Sequence, residues 1–321
     1  MTHTAIPVHK SPVRHAAPLM ALSKGLVGRC ARDPRRSAAR AIVALDAGAY
    51  GRAVSRWARR HGLEHSLFFL SFDCDTDRDI EAVGHLHPRL VDRGLAPMYA
   101  VPGEILQSGA AVFEPIAVTG AVFLNHGFRR HADVDPATGA VRSMLSYSDL
   151  DEAAWHEDVR RGHRAVQQVT GQAPRVFRTP HFASFSAPSQ LRRLYPLLAD
   201  LDYLVSTSTG PLHALMRGPL YEKCGVIEIP VSGCLDRPAQ IVDSWGFVGA
   251  ANARGRASMH AAIAAHLRRL LEGPPTVVNL YFDPADVCDD ETWLDLMARI
   301  APWCEPDMAA ARVLSLAGQS G

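Results

Sequence analysis

The sequence predicts an α/β fold: an incomplete or distorted (β/α) barrel of about seven parallel strands, preceded by a helical extension. Three observations carry this expectation. From Ser66 onward, short apolar runs alternate with longer runs of helical periodicity, the order that a parallel sheet wrapped by helices requires. The strand candidates number seven over about 220 residues, which fits a barrel that falls short of eight units. Acids and histidines follow directly on the apolar runs, at the C-terminal strand ends where such sheets build their sites. A doubly wound sheet is the alternative arrangement of the same elements and puts its site at the same ends.

Residues 1–36 carry Pro, His and basic residues with little periodicity and read as a segment partly disordered or draped on the domain. From Ala38 to His61 the pattern turns helical. Ile42, Leu45, Ala49, Ala53 and Trp57 recur at spacings of three and four, so this stripe is expected against the edge of the core. Arg40, Arg52, Arg56, Arg59 and Arg60 lie elsewhere and offer a basic face to anionic lipid or a phosphorylated substrate. Strands are expected at Leu67–Phe72, Ala96–Val101, Ala121–Leu124, Arg175–Arg178, Tyr203–Val205, Val226–Pro230 and Thr276–Phe282. Helices are expected between them, near 79–93, 104–119, 149–170, 188–199, 211–217, 256–272 and 290–300. Residues 1–65 thus read as a basic, partly helical extension and 66–321 as the domain that carries the chemistry.

A chain of 321 residues that is 47% hydrophobic can bury a full core. Its formal net charge of +1 conceals an asymmetry, with 12 Lys+Arg against 3 Asp+Glu in residues 1–66 and 22 against 30 in the rest. The basic residues lack interleaved aromatics and the main domain is acidic, which argues against nucleic acid as a partner. No apolar stretch approaches the ~18–20 residues of a membrane span. Lys24 interrupts the short run Ala16–Val27 and arginines follow it, a poor secretory signal, so the cytoplasm is the expected compartment. Cys30, Cys74, Cys224, Cys234, Cys288 and Cys304 show no CxxC or finger spacing and are expected as free thiols.

Asp73-Cys74-Asp75-Thr76-Asp77 closes the first apolar run. Side chains alternate across a strand, so Asp73 and Asp75 share one face at its mouth. A calcium loop of the EF-hand type would want Gly at its sixth position and Glu at its twelfth. Arg78 and Gly84 stand there, after a strand instead of a helix, which excludes it. A haloacid-dehalogenase-like phosphatase also opens with a strand and Asp-x-Asp, but wants Thr or Val where this chain has Asp77. Lys223, upstream of Asp289 and Asp290, keeps that reading open. A third reading makes Asp75 a metal ligand and Asp73 a general base beside it; the plainest is a pair of solvated acids. His126 and His131 close another apolar run, with Gly127 letting the backbone turn between them. One carboxylate and two imidazoles are the ligand mixture of a catalytic zinc or similar divalent ion, which leaves a position open for water.

With these residues the chain resembles the polysaccharide deacetylase (NodB homology) family, metal-dependent carbohydrate N- or O-deacetylases, from about Ser66 to Val287. Ser71-Phe72-Asp73-Cys74-Asp75 is similar to the family's first motif, Thr-Phe-Asp-Asp-Gly. The likeness implies Asp73 as base and Asp75 as first metal ligand, with Cys74 between acids that are normally adjacent. Gly120 to His131 is similar to the second motif and implies His126 and His131 as the other ligands, separated by four residues where the family has three. Phe177-Arg178-Thr179-Pro180-His181-Phe182 resembles the third, an Arg-x-Pro segment lining the groove. It implies that Arg178 steers Asp73 and that Pro180 and Phe182 meet substrate. Val226–Pro230 resembles the strand that often follows, and Asp243 and Trp245 stand for an acid and an aromatic pocket wall. The last motif departs: Thr276 to Val287 has Asp283 before Pro284 where the family has a histidine as general acid. An aspartate near its ordinary pKa of about 3.9 is a poor donor at neutral pH unless burial raises it. His181 filling the vacated place is favoured slightly, Asp283 held protonated comes second, and loss of activity is the third outcome.

The resemblance implies a NodB-like fold and a divalent metal, Zn2+ first with Co2+ or Mn2+ as alternatives. It implies removal of an acetyl or similar acyl group from an N-acetylated sugar or sugar conjugate by a metal-activated water. A nucleotide- or lipid-linked amino sugar fits the expected compartment, its phosphates meeting the basic N-terminal segment. The rival expectations are a catalytically inactive carbohydrate-binding protein and a hydrolase of a non-sugar amide or cyclic ureide.

Overall fold

A computed structural model of the chain describes residues 33–182, 184–250 and 253–310, so the expectations for residues 1–32, Cys30 included, lie outside the described residues. Strand β1 (Leu67–Asp73) is buried along its whole length. Its side chains divide by parity. Phe68, Leu70 and Phe72 join an outer layer with helix residues such as Val83, Leu86 and Trp293, and Cys74 continues that side. Leu67 and Phe69 turn the other way, into an interior cluster with Met98, Ala100, Leu124, Val176, Val205 and Ile227. A strand covered on both faces needs apolar side chains of both parities, which is why its sequence is a continuous run.

Nine further strands follow among the described residues: β2 (Met98–Val101), β3 (Val122–Asn125), β4 (Ala132–Val134), β5 (Val141–Ser143), β6 (Val176–Phe177), β7 (Val205–Ser206), β8 (Tyr221–Lys223), β9 (Val226–Glu228) and β10 (Val277–Phe282). The main sheet has eight strands in the order β10-β1-β2-β3-β6-β7-β9-β8. All its neighbours run parallel except β8, which lies antiparallel on β9. The seven expected strands are all present. The structure adds β8 at the border and a separate hairpin of β4 and β5. These short strands carry exposed polar residues and no apolar run, so nothing in the sequence pattern marks them.

The sheet curls into a half-barrel, and an irregular segment after β9 stitches it to β10 where another strand would stand. Ser232 N–H donates to the Asn279 carbonyl (2.8 Å), Asn279 N–H donates to Ser232 Oγ (3.0 Å), and Asn279 Nδ2 donates to the Ile229 carbonyl (2.9 Å). An incomplete barrel is thus held together on that side by polar bonds.

The helices are α1 (Pro34–Leu45), α2 (Gly48–Arg60), α3 (Asp77–Val91), α4 (Gly103–Ser108), α5 (Ala110–Val118), α6 (Glu152–Thr170), α7 (Pro188–Asp200), α8 (Pro211–Arg217), α9 (Arg256–Glu272), α10 (Pro284–Val287) and α11 (Glu291–Ile300). The helix expected over 38–61 is two. Asp46 adopts extended backbone (φ −148°, ψ 91°) and ends α1, which resets the helical phase. The buried stripe is therefore Ala39, Val43, Tyr50, Val54 and Ala58, whereas Ile42 is 48% and Leu45 91% exposed. Ala39, Val43, Tyr50 and Val54 of this stripe pack on Leu212 and Ala214 of α8. Trp57 and Leu63 pack against the interior cluster that holds Leu67 and Val277, the first residues of their strands. The extension thus closes the N-terminal end of the barrel, opposite Asp73, and Arg56, Arg59 and Arg60 are exposed on that helix.

No helix among the described residues is long and apolar enough to cross a membrane. The five cysteines described are all free thiols, as expected from their spacing. Truncating Phe69 to Ala in the interior cluster is expected to cost about 3–5 kcal/mol. Leu45→Ala on the exposed face should stay within about 0.5 kcal/mol. Urea unfolding midpoints check both, and equal losses would contradict the packing of α1.

Candidate metal centre

The candidate residues gather at the C-terminal strand ends. Strand β1 ends in Asp73 and places Asp75 two residues on; β3 ends in Asn125 and leads to His126 and the loop to His131. Arg178 follows β6 and Asp283 follows β10.

Asp75, His126 and His131 each offer a ligand atom, and these atoms lie within 4.8 Å of one another. His126 Nδ1 is 2.9 Å from the Arg178 carbonyl and donates its hydrogen there. Nε2 then faces Asp75 Oδ1 at 3.4 Å and Asp73 Oδ2 at 3.8 Å. It has no hydrogen-bond partner although the residue is 1% exposed. His131 Nε2 is 2.9 Å from Asp75 Oδ1, and its ring stands edge-on to His126 at 4.6 Å. Burial pushes the Asp75 carboxyl up, but His131 and then His126 outweigh it and hold that group well below the usual carboxylate range. Burial lowers the His126 imidazole, and Asp73 and Asp75 together more than reverse this. A buried, unpartnered imidazole nitrogen whose tautomer is fixed by a bond to the other nitrogen is how protein ligands are prepared for a metal. Beside a carboxylate and a second imidazole, the donor set fits a divalent ion. The four residues between the histidines do not prevent convergence.

Arg178 has no exposed surface. Its guanidinium donates to Asp73 Oδ1 and to Ser71 Oγ, the latter at 2.7 Å. Phe182 and Tyr281 cover it at 4.9 and 5.4 Å and pack on each other at 4.4 Å. These contacts place the guanidinium against the carboxylate that the third motif assigns to it.

A cavity of about 610 Å³ opens above the centre, lined by Asp73, Asp75, His181, Phe182, Trp245 and Asp283 among others. Pro180 does not belong to this lining. It is buried, and a Cβ built on Gly127 would come within 3.5 Å of its ring, so it packs against the histidine loop, while Phe182 lines the cavity. His181 sits at φ 56°, with Nε2 3.0 Å from the His131 carbonyl and 2.9 Å from Ser143 Oγ. Burial, then His131, lower its pKa, which keeps the ring neutral. Asp283 receives 2.5 Å from Ser244 Oγ and donates its own N–H back at 2.7 Å. Burial, followed by Asp286 and Asp79, pushes its carboxyl well above the usual range.

Several residues of the site escape the sequence reading. Tyr281 lines the cavity and donates to Asp243 Oδ2 at 2.9 Å. It lies two residues before Asp283 on the same strand parity, a signal the sequence does contain. Asp79 also escapes that reading; burial raises this acid to about 7, and raises Asp243, which the sequence reading does name, to about 6. The hairpin also contributes, through Val141 and Ser143.

No family model and no curated protein matches the chain. Solved structures do match. A Mycobacterium smegmatis protein assigned as a polysaccharide deacetylase superposes with TM-score 0.55 at 16% identity, over 79% of this chain and 91% of that one. A Pseudomonas aeruginosa protein of the same assignment gives 0.51 at 12%, over 74% and 83%. An allantoinase gives 0.51 at 10%, over 74% and 82%. The chain therefore has the polysaccharide deacetylase fold, the incomplete NodB-like barrel.

Proposed function

We propose that the protein is a metal-dependent hydrolase that removes an acetyl or similar acyl group from an N-acetylated sugar or sugar conjugate. The observation that carries this reading is the unpartnered His126 Nε2, facing Asp75 and Asp73, two carboxylates that line the cavity. The shared fold supports it. Asp75, His126 and His131 would hold the ion, Zn2+ first and Co2+ or Mn2+ as alternatives. Bound there, a divalent cation supplies Lewis-acid polarisation of the acyl carbonyl and acidifies water.

The remaining steps belong to side chains. Arg178 holds Asp73 Oδ1, and Asp73 Oδ2 remains to take the proton of the attacking water. A backbone N–H at Phe182 serves the oxyanion. For the proton that releases the amine, we favour Asp283 over His181, the reverse of the order expected from sequence. His181 has Nε2 committed to the His131 carbonyl and a neutral ring, whereas Asp283 lines the cavity with its carboxyl pushed well above the usual range by burial, which favours its acid form. Asp283 is the proposed donor and His181 the second choice.

Phe182, Trp245 and Tyr281 offer apolar faces to a pyranose ring. Even with Asp283 counted as neutral, Asp73, Asp75, Asp79, Asp243 and Asp286 line the same cavity against Arg78, which is bonded to the Gly139 carbonyl. That charge balance favours an uncharged acylamino sugar inside and keeps any phosphates of a conjugate outside. The arginines at the end of α2, near the closed end of the barrel, are not placed to meet them. Two other readings have support: a non-sugar amide, because an allantoinase shares the fold, and an inactive carbohydrate binder, because Asp283 stands in the histidine's place.

Acetate release from a panel of N-acetyl sugars, with metal content measured on the same protein, tests the proposal. His126→Ala is expected to lose both metal and turnover, and hydrolysis by the metal-free variant would refute the assignment. Asp73→Asn should keep the metal and lose about 10²–10⁴ in kcat. Metal without turnover on any sugar or ureide supports the binder instead. The pH profile isolates the donor. A raised carboxyl acts while protonated, so the rate should fall as pH rises through the elevated pKa of Asp283. Asp283→Asn should remove that alkaline limb, and an unchanged limb assigns the proton to another group.

A further inference from the structure

The run between the two imidazoles, Gly127 to Arg130, forms neither helix nor strand. Each of its backbone N–H groups nonetheless has a partner. Gly127 N–H donates to Asn125 Oδ1 at 3.0 Å, and Arg130 N–H to Glu104 Oε2 at 2.8 Å. The two in the middle go to one residue: Phe128 N–H donates to Asp158 Oδ2 at 3.0 Å and Arg129 N–H to Asp158 Oδ1 at 3.1 Å. On the other side of the loop, Gly103 and Glu104 N–H donate to the carbonyls of Gly127 and Phe128 at 2.9 and 2.8 Å. A segment without a ladder of its own thus has three of its four donors satisfied by side chains of neighbouring helices and the fourth by Asn125 at the end of β3.

Asp158 is the centre of this arrangement. It lies on α6, is 2% exposed, and accepts two further bonds, from Tyr147 Oη on Oδ2 at 2.8 Å and from Arg129 Nε on Oδ1 at 3.0 Å. We propose that Asp158 is a positioning residue of the metal centre: its two oxygens fix the turn that aims His126 and His131 at Asp75. This rests on the metal reading above and extends it to a residue that does not line the cavity.

Two physical points make the assignment specific. The first is the acceptor pattern. Four donors converge on two oxygens, and the two backbone N–H groups use different ones, so both oxygens must accept. Only a carboxylate does that. An amide of the same shape has one acceptor and would turn its NH2 toward donors, leaving at least one buried N–H unpaired. The second is the absence of slack. Gly127 has φ +77°, and a Cβ on it would lie 2.6 Å from Asp158 Oδ2 and from Tyr147 Oη. One turn along the same face of α6, a Cβ on Gly162 would lie 2.2 Å from Asn125 Oδ1 and 2.6 Å from the Gly127 carbonyl. The loop rests directly on the helix, so a shift of the carboxylate is passed to the turn between the ligands. This platform also explains how a loop with four intervening residues brings its two rings together.

The test measures Zn2+ affinity of the full chain by chelator competition, together with the thermal midpoint with and without metal. Asp158→Asn is expected to weaken binding about 10–100-fold, the range seen when groups behind metal ligands are changed. The rise in midpoint on adding Zn2+ should shrink with it. Should that variant not fold, Arg129→Ala removes one donor from Oδ1 at the partly exposed rim and should weaken binding severalfold. Wild-type affinity in whichever variant folds overturns the positioning role, even if the metal-free midpoint falls, because a merely structural carboxylate would lower stability alone. A wild-type chain that binds no metal overturns the metal centre itself, a result distinct from either.

Discussion

Arg178 is removed from water entirely, and a buried guanidinium is tolerated only when its charge is answered; here both terminal nitrogens are bonded and only Nε is left without a partner. Asp73 answers the charge, Ser71 takes a second bond, and the rings of Phe182 and Tyr281 cover its faces. The carbonyl of the same residue accepts from His126 Nδ1 and so decides which imidazole nitrogen is left for a metal. Asp73 and His126, the proposed base and the proposed ligand, are registered to each other through one residue after β6. Breaking a buried pair by removing one partner costs about 3–5 kcal/mol, so the constraint is enforced by folding as well as by chemistry.

That registration needs a barrel whose interior changes character along its axis. In β1 the inward parity runs from Leu67 and Phe69 to Ser71 and Asp73; in β10 it runs from Val277 to Asn279 and Tyr281. The bottom is apolar and closed by Trp57 and Leu63, while the top is polar and opens to the cavity. The outward parity stays apolar throughout, with Phe72 and Phe282 against Trp293. Cys74 follows that parity. It stands between the two acids of the first motif yet belongs to the outer layer, where burial and then Asp79 hold its thiol protonated.

Legibility in the sequence follows from the same physics. Strands buried on both faces cannot avoid being apolar runs, so the seven parallel strands were readable, as was α8, with Pro211 at its start and Gly218 after its end. The hairpin and β8 owe their existence to hydrogen bonds with a neighbour, and pairing leaves no composition signal in three residues. Asp46 breaks the extension because of its local backbone, which apolar spacing does not report. At the site, the acids and histidines that follow strands were visible because alternation fixes their direction. Asp158, Pro180 and the bonding of His181 were not, since each depends on which loop a distant element touches.

An open sheet has borders, and here they are treated differently. The β10 side is stitched to Ser232, while the other side ends in β8, three residues running against the rest, with Glu222 and Lys223 exposed. A rim so brief and so charged offers a passing chain few unpaired amides and no apolar bait. The half-barrel can therefore leave its circle unfinished without inviting another molecule to complete it.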